Sequence, residues 1–413
     1  MRKLNYMMYI QKYSISIFLL IFTFIPYFSV HERYLIPVAF SVVILFALMN
    51  KKNIVSFNNM TSELRIILLI FFIQTIVIII SLLVNINFVH LSSFNEILKY
   101  VGFSIVLLFS YYVTSIVKTE DLINIIVLTI KFILVMQLLF CIDQALSYNI
   151  LSEIYSYSKV NIKTFRTVGT LVNPNHFAWV ILQFGIIIFL FDKHKSRLYW
   201  VFFCFILVLL SGSKSTLIIT LIDISFILII KSKYKTISFQ TLRILFIMLI
   251  VCAFFMFFLF IFKDTFRGVA SLFQLLENGP MSMSTISVRI LHWNNTMNYF
   301  FNNLDILKLL FGYSNIAIFN NIDNNYIYII VRYGLVGALV YLIMFSYIIY
   351  ISIKYWNIKI GIFIFQFIIM LLILGVFGDN LGGWIYPIIL YLFLGIFLNL
   401  IKKHRTNNEP LDI

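Results

Sequence analysis

Charge is what this sequence has least of. Asp, Glu, Lys and Arg together make up 11% of its 413 residues, against roughly a quarter in ordinary soluble proteins. At 62% hydrophobic, the chain carries more apolar surface than a soluble core of this size can hide. A soluble enzyme, a nucleic-acid-binding module and a disordered scaffold are thereby excluded. Cysteine is also scarce. Cys141, Cys204 and Cys252 all fall in apolar stretches, where small buried hydrophobes belong, so neither a disulfide framework nor a metal cluster is expected.

What is abundant is long apolar runs, and the mean hydropathy is +1.00. A membrane helix needs roughly 17–25 mostly apolar residues. Twelve candidate spans satisfy or approach this, near 14–30, 35–49, 66–85, 98–117, 122–145, 176–191, 198–212, 215–231, 243–262, 326–350, 358–377 and 384–401. The expected fold class is therefore all-α, a polytopic integral membrane protein. Arg2, Lys3 and Lys12 precede the first run, and no small-residue cleavage site follows it, which reads as an uncleaved first helix.

The formal net charge of +15 comes from 31 Lys and Arg against 16 Asp and Glu. With the N-terminus inside, 19 of those cations fall in inner loops or at helix ends on that side, 11 fall on the outer side, and Lys131, in mid-span, belongs to neither. The inner ones crowd short loops beside helix ends, where the positive-inside rule has force. Both termini are thus expected in the cytoplasm, and the surplus is a topology signal with no nucleic-acid partner behind it. Residues 1–401 are expected to form a single transmembrane domain, with a large helical outer loop at 263–325 and a disordered cytoplasmic tail at 402–413.

Four outer segments carry polar chemistry. In Arg166-Thr-Val-Gly169-Thr-Leu-Val-Asn173-Pro174-Asn175-His176, Pro174 restricts Asn173 to extended geometry and His176 opens the next helix. A capped helix entry explains the same residues. Ser211-Gly-Ser213-Lys214-Ser215 makes either a small anion-binding corner or a polar hairpin tip with a snorkelling lysine. Within 263–325, Ser287-Val-Arg289-Ile-Leu-His292-Trp293 reads as a helix that places Arg289, His292 and Trp293 on one face. Arginine suits phosphate and tryptophan suits a sugar ring; an amphipathic surface helix is the alternative.

Asp323-Asn324-Asn325-Tyr326 then leads into a span as a capping sequence. About two turns in comes Arg332, a cation that is costly there unless it has a partner or a wet cavity. Gly334 and Gly337 are expected to permit close helix packing. Lys131, Asp143 and Asp223 lie inside other spans, where structural pairing is expected over proton coupling; an inter-helix pair such as Lys131 with Asp223 is conceivable but not derivable from the sequence. Trp384, after a Gly- and Asn-rich turn, is expected as an interfacial anchor.

In this order the segments resemble the bacterial O-antigen polymerase and ligase superfamily: Gly-x-x-x-Asn-Pro-Asn entering a helix, Ser-Gly-Ser-Lys, Arg-x-x-x-Trp, and Asp-Asn-x-Tyr before Gly-Leu-Val-Gly. The resemblance spans about 166–342. It implies a metal-independent glycosyltransferase, without cofactor, in the bacterial inner membrane. Such an enzyme takes glycan from undecaprenyl pyrophosphate at the outer face, with the lipid bilayer, a chain-length regulator and a flippase as further partners. Arg289 would then hold pyrophosphate, joined by Arg166, Lys214 and Arg332. Lys214 stands where the family has Arg and keeps the charge without the bidentate fork. Asp323 or His176 would orient and deprotonate the attacking hydroxyl, and Asn173, Asn175, Asn324 and Trp293 would contact the substrate. Ligases carry a histidine where this chain has Asp323, which favours a polysaccharide polymerase over an O-antigen ligase. A lipid-linked oligosaccharide flippase is the expectation from a different class, since twelve spans with both ends inside is a common transporter layout.

Overall fold

The computed structural model describes residues 2–25, 32–49, 60–86, 94–145, 150–153, 167–171, 173–213, 216, 219–220, 223, 284–303, 305–313, 322, 324–376 and 384–407. Every regular element among the described residues is helical. In chain order these are α1 (Arg2–Phe24), α2 (Glu32–Met49), α3 (Ser62–Val84), α4 (Phe94–Ile116), α5 (Thr119–Ala145), α6 (Ile150–Glu153), α7 (Pro174–Phe191), α8 (Arg197–Ser211), α9 (Ser284–Asn302), α10 (Ile306–Phe311), α11 (Asn325–Lys354), α12 (Lys359–Gly375) and α13 (Ile385–Asn407).

Six helical segments are long and apolar enough to cross a membrane: Ser62–Val84, Phe94–Ile116, Thr119–Gln144, Pro174–Phe191, Asn325–Lys354 and Ile385–Thr406. Shorter apolar helices run over Lys12–Phe24, Leu35–Leu48, Arg197–Ser211 and Lys359–Gly375. Of the expected twelve spans, the one at 243–262 and most of the one at 215–231 lie outside the described residues. The last helix continues past residue 401 to Asn407, so the part of the expected tail that is described is helical.

The chain divides into two compact units, one of residues 1–22, 29–126 and 289–413 and the other of 23–28 and 127–288. In the first unit α4 packs on α2, α3 and α13, and α11 packs on α3, α10 and α12. Small and aromatic residues let these helices close up. Gly102 admits the Trp384 ring, and Trp384 itself is buried against Phe103 at 5.7 Å. The expected interfacial anchor is therefore a core residue, because the α4 face opposite it has a glycine where a side chain would have kept the indole out.

Charge fixes one end of this bundle. Arg405 on α13 is paired with Glu63 on α3 at 2.5 Å and also donates to Tyr355, while Lys403 donates to the carbonyl oxygens of Thr114 and Val117. That lysine takes up orphan carbonyls at the end of α4.

In the second unit α7 and α8 form an antiparallel pair. Asn173 caps α7, its side chain accepting from the Asn175 N–H, and Pro174 takes the first helical position, where its missing donor costs nothing. Gly212, at φ +60°, ends α8 in the left-handed conformation that glycine tolerates.

Candidate functional site

The first unit contains a helix that breaks. Gly334 has φ +67° and ψ −170° inside α11, so the expected role of this glycine, easing the packing of a continuous helix, is replaced by an interruption. Breaking a helix frees carbonyl groups, which a membrane-spanning bundle must satisfy internally. Here the Val331 oxygen accepts from the Tyr313 N–H at 2.8 Å and the Arg332 oxygen from Ser81 Oγ at 3.3 Å. Asn85 at the end of α3 donates to both the Ser81 and the Gly312 carbonyl oxygens, at 2.7 and 3.0 Å. A Cβ on Gly334 would collide with the Leu310 carbonyl, and one on Gly312 with the Arg332 carbonyl. Two glycines with positive φ thus let α10 meet α11 backbone to backbone. At Gly337 a Cβ would collide with the Tyr333 side chain of α11 itself, whereas Val77 of α3 lies at ordinary contact distance, so this glycine accommodates the broken turn more than the neighbouring helix.

Around this break a charged cluster is buried. Arg332 Nη2 lies 3.2 Å from Glu96 Oε1, and Lys99 Nζ lies 2.7 Å from the same oxygen. The Tyr333 hydroxyl donates to Glu96 Oε2 at 2.5 Å, and Arg332 Nη1 donates to the Tyr328 hydroxyl at 2.7 Å. The guanidinium also lies over the Tyr328 and Tyr333 rings, 5.3 and 5.8 Å from their centroids. Glu96, Lys99 and Arg332 are each less than a tenth exposed.

Charges buried like this are expensive to desolvate and persist because they are paired and hydrogen-bonded. Sequence reasoning found Arg332 and missed its partners. Lys99 read as one more outer cation, although Glu96 and Lys99, spaced i, i+3 at the head of a span, were the available signal.

Other expected residues of this unit serve nearby elements. Asn324 caps α11, accepting from the Tyr326 and Ile327 N–H groups at 2.9 and 3.1 Å. Its amide also donates to the Val376 oxygen at 3.3 Å. Arg289, His292 and Trp293 lie on α9 and are partly buried, as their helical spacing requires. Asp305 caps α10, and the Lys308 N–H it accepts holds its carboxyl below the usual range. Asp323 lies outside the described residues.

The second unit joins two of the singled-out segments. The Thr167 N–H donates to the Leu210 oxygen at 3.2 Å, and Ser213 Oγ donates to Asn175 Oδ1 at 2.8 Å. Ser213 is also 2.8 Å from Thr216 Oγ1. Arg166 and Lys214, the chain neighbours of these bonded residues, lie outside the described residues. Two glutamines of α5 hold the preceding turn. Gln144 Oε1 accepts from the Val168 and Gly169 N–H groups, while its amide donates to the Gly169 oxygen at 2.8 Å. Gln137 bonds the Thr170 N–H and hydroxyl, and that hydroxyl donates to the Thr23 oxygen at 2.6 Å. His176 lies in the first turn of α7, partly buried.

Two of the charges inside this unit are structurally paired, as expected over proton coupling. Lys131 pairs with Asp192 at 2.6 Å and lies over the Trp200 ring at 5.5 Å, so it does not depend on Asp223. Asp192 is available because it ends α7 beside α5. Asp143 accepts from the Ile150 and Leu151 N–H groups, both at 3.1 Å, and so caps α6. Asp223 is buried. Among the described residues no group of three His, Cys, Asp or Glu side chains is placed to hold a metal ion. No protein-family model matches the chain, and no curated protein sequence matches it.

Proposed function

We propose that the chain is a polysaccharide repeat-unit polymerase of the bacterial inner membrane, with twelve spans and both termini cytoplasmic. In this reading it transfers a growing O-antigen or capsule glycan from undecaprenyl pyrophosphate to the next lipid-linked repeat unit. The observation that carries the reading is the buried Glu96–Lys99–Arg332 cluster at the break in α11. It lies at the end of the bundle where α3 stops and α4 and α11 begin, opposite the Glu63–Arg405 end. An arginine and a lysine held together at one end of the spans are groups with which an anion presented there would bond.

The chemistry needs little else. The acceptor hydroxyl oxygen bonds to the anomeric carbon as the carbon–oxygen bond to pyrophosphate breaks. The bonding pair leaves with the pyrophosphate, and the hydroxyl proton passes to a base. Pyrophosphate is a good leaving group, so the main demand is cations placed where its charge develops. Arg332, with Lys99, and Arg289, Arg166 and Lys214 are the candidates. Asp323 or His176 is the candidate base, and Asn173, Asn175, Asn324 and Trp293 are candidate glycan contacts.

The test uses a host that builds lipid A. Deleting the gene should leave single repeat units on the core. Full-length polymer stranded on the carrier would mark a ligase. Repeat units trapped on the inner leaflet would mark a flippase, the reading that the interrupted α11 favours, because transporters build sites at discontinuous helices.

A further inference from the structure

Helix α10 is six residues long, Ile-Leu-Lys-Leu-Leu-Phe, and none of its side chains is buried. A helix this short does not persist on its own. It is held because its C-terminal end is locked to the spans: Gly312 and Leu310 lie against the Arg332–Gly334 backbone, and the Tyr313 N–H reaches the Val331 oxygen. The segment is therefore fixed at the level of the α3 terminus and the α11 break, with its apolar side chains turned outward. Ile306 is 77% exposed and Leu307 53%. Next to it, Leu83 in the last turn of α3 and Ile86 just beyond it are 63% and 66% exposed, and α11 presents Leu335 and Leu339 outward. These outward faces belong to helices long and apolar enough to cross a membrane, and α10 continues them.

The polar groups of the segment are gathered at its start. Asp305 pairs with Lys308 at 3.2 Å, and Lys308 lies over the Tyr313 ring at 5.4 Å. A lysine held this way keeps its stem in apolar surroundings and its charge toward the headgroups. The Tyr313 hydroxyl in turn donates to the Asn303 oxygen at 2.6 Å, tying α10 to the more polar α9. Irregular backbone at membrane depth is tolerated where protein satisfies it, and Asn85, Ser81 and Tyr313 do so here.

We infer that α10 is a re-entrant membrane element whose outward face, carried by Ile306 and Leu307, is covered by the acyl chains of the bilayer. It is then part of the lipid-embedded layer and not of an aqueous outer loop. This inference does not rest on the polymerase reading.

A nitroxide on Leu307→Cys, in full-length protein with its three native cysteines replaced by alanine and reconstituted in phosphatidylethanolamine–phosphatidylglycerol vesicles, reports the solvent directly. The ratio of collision rates with oxygen and with a water-soluble nickel chelate should lie within about twofold of that at Leu83→Cys, and about tenfold above that at Asn298→Cys on α9. A ratio at residue 307 matching Asn298→Cys, or protection from both reagents, overturns the inference. If that background does not fold, benzoylphenylalanine at position 307 of the otherwise native chain replaces it. Irradiation in membranes should then yield lipid adducts, whereas crosslinks to protein, or no adduct, overturn it.

Discussion

Glu96 is the residue on which the first unit's polar chemistry turns, since it faces Lys99, Arg332 and the Tyr333 hydroxyl at once. Removing one partner from a buried ion group costs about 3–5 kcal/mol, because the remaining charge is left uncompensated. Glu96→Ala should therefore lower the thermal midpoint of the purified protein sharply, and neutralising all three groups together, Glu96→Gln with Lys99→Gln and Arg332→Gln, should recover much of the loss. A single variant as stable as the parent would overturn the pairing. Under the polymerase reading, Arg332→Ala and Arg289→Ala should each abolish polymer while inserted protein persists by immunoblot. Normal polymer length in either would remove that residue from the site. The sequence identified Arg332 because a cation within a span is rare. It hid Glu96 and Lys99, since a charge pair at a span's head looks like loop.

At the scale of elements, the α10–α11 junction depends on backbone conformation. Alanine at Gly334 would have to adopt a positive φ with extended ψ and place its Cβ against the Leu310 carbonyl. Strain in such a region costs of order 1–3 kcal/mol before any collision is counted. Gly334→Ala should lower the thermal midpoint by several degrees and displace α10, seen as altered protease accessibility near Asp305. Unchanged melting and cleavage would mean that α11 runs straight through. Helix ends were legible from residue types: Asn173-Pro174, Asn324 and Gly212 cap where caps belong. The break was not, because glycine serves equally for close packing and for interruption, and only the approach of α10 decides between them.

At the scale of the molecule, the charge distribution predicts orientation. A fluorescent protein fused after Ile413 should be fluorescent, as in the cytoplasm, and a periplasmic reporter there should be silent; the reverse would invert the topology. The clamp that joins Glu63, Arg405 and Tyr355 belongs to that same end. Its one cation, Arg405, shares the end at which the charge distribution puts most of the chain's surplus positive charge. Arg405→Ala should weaken the docking of α13, with a loss of about 1 kcal/mol or less, because the pair is partly exposed and screened.

Composition alone determined that this is a helical membrane protein, because apolar runs of spanning length have no other stable solution in lipid. Apolar run length then located the six helices long and apolar enough to cross a membrane to within about five residues. The tertiary structure alone decided where the buried charges go: Lys131 to Asp192, Asp143 to the start of α6, Glu96 to Arg332 and Lys99. The reason is physical. Hydropathy is a property of each segment by itself, whereas the partner of a buried charge is set by which helices approach and how deep, and no single segment encodes that.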